Sequence, residues 1–147
     1  EAVKYLIEQC HADVEAKDNN GRTPLHIAVS CSYDIDIIKY LIEQCHANVE
    51  AKTDRDGWTP LHYASNDGNI EVVKYLIEQC HAKTEERDKY GQTPLHVASM
   101  SGHLGIVKYL IERCHANVEA KDNSGKTPLG KTLNKETREY LRKITSK

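Results

Sequence analysis

The sequence predicts an all-α protein, a solenoid of stacked helix-turn-helix units with protruding β-turn fingers, and three observations predict it. The heptapeptide Lys4-Tyr-Leu-Ile-Glu-Gln-Cys10 returns at Lys39 and Lys74 and, with Arg for Gln, at Lys108, in steps of 35, 35 and 34 residues. Thr-Pro-Leu-His starts at Thr23, Thr59 and Thr93, and Thr127-Pro-Leu is followed by Gly130 in the His place. The two blocks keep one period, and the segment between them is amphipathic. A period of this length marks an array in which each unit is one supersecondary element.

Residues 54–87 show how each element arises. Asp54-Arg-Asp-Gly57 has turn chemistry. Thr59 followed by Pro60 starts a first helix, since the hydroxyl caps free N–H groups and proline stands where no N–H is needed. Gly68 ends that helix. From Ile70 the residues Val72, Val73, Leu76, Ile77 and Cys80 form one face of a second helix, with Glu71, Lys74, Glu78 and Gln79 on the other. The apolar face of one such unit does not offset the conformational entropy of ordering it, so neighbours must cover what remains.

The pattern Asp-x-x-Gly-x-Thr-Pro-Leu-His-x-Ala, followed by a second amphipathic helix, resembles the ankyrin repeat over essentially the whole chain. The register predicts full units at 18–53, 54–87 and 88–121, the second helix of a preceding unit at 1–17 and a shortened capping unit at 122–147. Glu1 aligns with Glu71, inside a second helix, so the expectation is an excerpt of a longer array with one apolar face open. These units have 34 residues where the family unit has 33, and they end Cys-His-Ala, as at Cys45-His46-Ala47, where the family has Gly-Ala; the added residue is placed there. The first full unit carries one further residue in Ser30-Cys-Ser-Tyr-Asp34 and another near Thr53. The last unit lacks His at Gly130, which predicts a weakened first helix. The resemblance implies that Thr23/His26, Thr59/His62 and Thr93/His96 hydrogen-bond locally and tie adjacent loops together.

Composition narrows the function classes. Net charge is −2, without the basic footprint that phosphate contacts demand, so no nucleic acid is expected as a partner. The seven Lys and Arg of residues 122–147 outnumber their three acids, giving +4 there and −6 on residues 1–121; a charged stack end reads as a solvated face. Apolar runs are far too short to cross a bilayer and no signal segment is present, so neither membrane nor secretion is expected. The pairs Cys10-His11, Cys45-His46, Cys80-His81 and Cys114-His115 do not suit a metal, because equivalent positions of stacked helices lie roughly 8–10 Å apart while zinc holds its ligands at about 2.0–2.3 Å. The same spacing disfavours disulfides, and free thiols suit a cytoplasmic chain, with the nucleus also open. Cys31 is the thiol most open to reaction, although a passive role is favoured. His26, His62 and His96 have no companion nucleophile, and phosphate loops, nucleophile elbows and HExxH are all missing. The expectation is a non-catalytic monomer without cofactor or small-molecule substrate.

Residues that fail to repeat are freed from packing duties, so variation between units marks candidate contacts for an unidentified protein. These are Asn19, Asn20, Arg22, Ser30 and Tyr33; Arg55, Asp56, Trp58, Asn66 and Asp67; Lys89, Tyr90, Gln92, Met100 and Ser101; then Asn123, Ser124 and Lys126. The resemblance places them on the concave face and the finger-like turns. Trp58, the single Trp, fills a slot held elsewhere by Arg22, Gln92 and Lys126 and is the expected anchor. Tyr90 and Met100 are expected to join it in an apolar centre, and Trp58→Ala to weaken binding while leaving folding nearly unchanged. Tyr5, Tyr40, Tyr75, Tyr109 and Tyr140 recur at one position and read as scaffold. The competing reading is a structural spacer without a specific partner here.

Overall fold

A computed structural model describes residues 12–31 and 34–146. The helix expected over 1–17 therefore falls largely outside the described residues, as do Tyr33 and the Cys10-His11 pair. The described residues hold α-helices and no strands. In chain order they are α1 (Pro24–Cys31), α2 (Ile35–Lys39), α3 (Pro60–Asp67), α4 (Ile70–Lys74), α5 (Pro94–Met100), α6 (Leu104–Glu112), α7 (Pro128–Lys131) and α8 (Lys135–Thr145). α2 and α4 run on as π-helical turns over Tyr40–Gln44 and Tyr75–Gln79.

Each first helix begins as its sequence dictates. Thr59 and Thr93 accept the N–H of His62 and His96, while the two histidine side chains accept the N–H of Thr59 and Thr93, a reciprocal cap with Pro at the first helical position. Gly68, at φ 81°, closes α3, and a Cβ there would lie 2.6 Å from the His103 ring. That bare backbone lets His103 Nε2 reach Asn66 O at 2.8 Å and fasten α6 to α3. α7 has four residues and a single bond from Thr127, with Gly130 supplying no return bond.

The wide helix ends follow from the extra residue in Cys-His-Ala. Cys45 and Cys80 donate to the carbonyls of Tyr40 and Tyr75, five residues back, and Ala47, Ala82 and Ala116 donate six residues back to Leu41, Leu76 and Leu110. One inserted residue widens the turn instead of breaking it. The chain then reverses through His46, His81 and His115 at φ 55–56°, the left-handed region usually given to glycine.

The helices pack in two rows. α1, α3, α5 and α7 contact one another in sequence, α4, α6 and α8 do likewise, and each first helix packs on its own second helix. Leu25, Leu61 and Leu95 fill the centre from one row, and Ile38, Leu41, Val73, Leu76, Val107, Leu110 and Leu141 from the other, all at most 1% exposed. Outside this core the repeated tyrosines join units: Tyr75, Tyr109 and Tyr140 donate to Glu43, Glu78 and Glu112 at 2.6, 2.5 and 2.7 Å. Lys39, Lys74 and Lys108 sit over the same three rings at 5.6, 5.7 and 5.4 Å. Burial, then the carboxylate partner, pushes the Tyr140 hydroxyl up to about 12, so these bonds keep their protons at any physiological pH.

Candidate protein-binding surface

The fingers are tight turns built by an acid at their base. Asp18 Oδ1 accepts the N–H of Asn20 (3.0 Å) and Arg22 (2.9 Å); Asp88 does the same for Tyr90 (2.9 Å) and Gln92 (2.8 Å), and Asp122 for Ser124 and Lys126 (both 2.9 Å). These donors, led by the Arg22 N–H, hold the Asp18 carboxyl below the usual carboxylate range. At Asp122 burial pushes upward, but the N–H groups of Lys126 and Ser124 together with the Lys131 ammonium bring the net direction down.

The second finger departs from the sequence register. Asp54 was expected at its base, but Thr53 holds that place: Thr53 N donates to Trp58 O at 3.0 Å, and Trp58 N donates to Thr53 Oγ1 at 3.1 Å. The turn holds one residue more than the others, and Asp54 is displaced outward to face Lys17 at 3.5 Å. Fingers lean on one another through backbone bonds. Asp54 and Arg55 donate to Asn20 O, Lys89 to Asp56 O and Asn123 to Tyr90 O. At Gly21 (φ 78°) a Cβ would lie 2.4 Å from Asp54 N, so both the conformation and the approach demand glycine.

The buried histidines bind the fingers to the helices. Nδ1 of His26, His62 and His96 accepts the N–H of Thr23, Thr59 and Thr93 at 3.0–3.2 Å, which assigns the ring proton to Nε2. That proton goes to carbonyls of the next unit: Ala51 and Trp58 for His26, Gln92 for His62 and Lys126 for His96. All three rings are 0% exposed, and burial is the main cause that lowers each below the ordinary histidine value.

Trp58 belongs to this framework. Its Nε1–H donates to Asp88 Oδ2 at 2.9 Å, its ring stacks on His62 at 6.1 Å, and it meets Tyr63 edge-on at 5.0 Å. The expectation that Trp58→Ala spares the fold is corrected, because the half-buried indole bridges two units. The apolar centre with Tyr90 and Met100 is corrected too: the ring partners of Trp58 are His62 and Tyr63, whereas Tyr90 donates to Asp56 at 3.4 Å. Gln92, expected as a contact, is 7% exposed. Its amide lies between Asp88 Oδ2 (3.3 Å) and Lys131 Nζ (2.9 Å) in the orientation that satisfies both. Arg22 turns back onto Asp18 at 2.7 Å, and Asn66 takes a bond from Ser101 at 3.0 Å.

The rest of the variable set stands outward. Arg55, Asp67, Lys89, Ser101 and Lys126 are exposed, Asp56 is half-buried, and Tyr90 and Met100 are 54% and 41% exposed. Lys89 Nζ bonds the carbonyl of Asp54. Ile27, 38% exposed, and Tyr63 share the helix position after the histidine and were missed. The signal was present, since that position reads Ile27, Tyr63, Val97 and Lys131 and so varies as strongly as the finger tips. An open groove between two fingers is lined by Lys52, Asp54, Arg87, Asp88 and Lys89. Its cations are already engaged, Lys52 by Glu86 at 2.8 Å and Arg87 by the carbonyls of Gly91 and Lys121 at 2.8 and 2.7 Å.

Cys31, Cys45, Cys80 and Cys114 are free thiols, and burial raises those of Cys80 and Cys114. Among the described residues no helix is long and apolar enough to cross a membrane. No curated protein is found to match the chain. A protein-family model for ankyrin repeats in three copies matches residues 1–88, 30–122 and 80–142. With that match along nearly the whole sequence, and with capped hairpins stacked in two rows beneath linked fingers, the chain belongs to the ankyrin-repeat family.

Proposed function

We propose that this chain is a non-catalytic module that binds a protein through its finger turns and the neighbouring first-helix positions. Ankyrin repeats are in general protein-protein interaction modules and typically non-catalytic. The observation that carries the reading is the exposure of Tyr90, Met100 and Ile27 on elements whose other apolar residues are buried. Large side chains of this kind at positions that differ between units suit interface anchors. Arg55, Asp56, Asp67, Lys89, Ser101 and Lys126 form the polar surroundings, and Tyr63 adds an aromatic edge beside Trp58.

The spacer reading has its own support, because Arg22, Trp58, Asn66 and Gln92 differ between units yet are bonded internally. An Arg55→Ala/Tyr90→Ala/Met100→Ala variant separates the two. The module reading expects proteins captured by the unaltered chain to be lost by the variant at unchanged Tm. Capture of the same proteins in the same amounts would favour the spacer.

A further inference from the structure

Three contacts recur at each junction among the described units, and each is offered by the earlier unit to the later one. A first-helix histidine donates Nε2–H to a finger carbonyl of the next unit, at 2.8–3.0 Å for His26, His62 and His96. A second-helix glutamate accepts the next tyrosine hydroxyl, and a second-helix lysine covers the same ring. The α7/α8 hairpin receives all three, since Lys126 O accepts from His96 and Tyr140 meets Glu112 and Lys108.

The same hairpin offers none of them onward. Gly130 stands in the histidine position. Glu139, just before Tyr140, stands where Lys39, Lys74 and Lys108 precede their tyrosines. Lys143, three residues after Tyr140, stands where Glu43, Glu78 and Glu112 follow theirs. Two of the three replacements reverse the charge, so a following tyrosine would meet an ammonium where it needs an acceptor and a carboxylate at its ring face. Only Glu119 keeps the type of Glu15, Glu50 and Glu85, whose carboxylates accept an N–H of the next unit.

We infer that the outer face of α7/α8 is a terminus that refuses a further ankyrin repeat, whether continued in the same chain or offered by a second copy. Unlike charges arranged against the wrong partner are how interfaces exclude competitors. The refusal resides in three side chains and not in the shape of the hairpin, which docks normally on α5 and α6. This inference is independent of whether the fingers bind a partner.

The test extends the full chain by replacing residues 145–147 with a copy of residues 114–147, which places a new finger and hairpin in register. A second version carries Gly130→His, Glu139→Lys and Lys143→Glu in the original hairpin only. Amide hydrogen exchange reads both, with residues 54–121 as the internal reference for a folded array. The appended hairpin is expected to exchange like an unstructured chain in the first version and to gain at least about 100-fold protection in the second. Equal protection of the appended hairpin in the two versions, or none in the second while residues 54–121 remain protected, would overturn the inference.

Discussion

The turns at 53–58 and 88–92 serve one purpose with different chemistry. In the shorter turn the Asp88 carboxylate gathers the N–H groups of Tyr90 and Gln92 on one oxygen and the Trp58 indole on the other. In the longer turn the Thr53 hydroxyl accepts the Trp58 N–H alone. A carboxylate with several donors is worth more than a hydroxyl with one. The irregular finger therefore depends on its neighbour, which it reaches through Trp58 Nε1, and the regular finger is closed from within. A residue chosen as a contact because it fails to repeat can instead be repairing the irregularity of its own unit.

Acid tests both turns together and has the largest expected effect. His26 bonds the long turn and His62 the short one, and each must stay neutral at Nδ1 to accept the Thr N–H. Folded-state values below the ordinary 6.5 mean that stability is complete above that pH, and is lost as pH falls through the lower folded values because the unfolded chain takes up protons the folded chain refuses. Denaturant midpoints should fall steadily from pH 6.5 to about 5, and a flat profile there would show the rings to be protonated in place.

Trp58→Ala comes next, at about 2–3 kcal/mol of lost stability, while Tyr90→Ala on the short turn costs under about 0.5 kcal/mol. Equal losses in urea denaturation would remove the distinction between the two turns. Converting the long turn into the short one, by Thr53→Asp with Asp54 deleted, should gain about 1 kcal/mol through the restored carboxylate. A loss would mean that the longer turn is needed for the fit onto Asn20. Smaller still is Ser99→Ala. Its hydroxyl, like that of Ser65, is buried without a partner at a place where α1 has Val29, so removing it should add under about 1 kcal/mol to the thermal stability.

The repeating parts of the fold were legible because each is fixed by local chemistry: Thr-Pro starts a helix, Gly68 stops one, and the Val72, Val73, Leu76 face has a single place to go. The placement of the added residue at Cys-His-Ala was legible in the same way. What it becomes, a five-residue helical turn followed by histidine in a left-handed conformation, was not, because propensity assigns that conformation to glycine. The finger register misled for a related reason. Asp54 satisfies the motif letter by letter, but the inserted residue moves the closing pair to Thr53 and Trp58, and only backbone geometry reveals it. The candidate surface was read from variation alone, which separates what repeats from what does not. It is blind to partners 30 residues away, such as Asp88 for Trp58.

The hydrogen bonds of longest range among the described residues, Lys17 to Asp54 and His103 to Asn66, span 37 residues. Nothing braces one hairpin against the next but one, so cohesion passes link by link as in a chain under tension. A steady force on the two ends would therefore meet a series of similar resistances in place of one large one. The four-residue α7 should yield first, and the molecule would lengthen in steps of one unit while the remainder kept its shape.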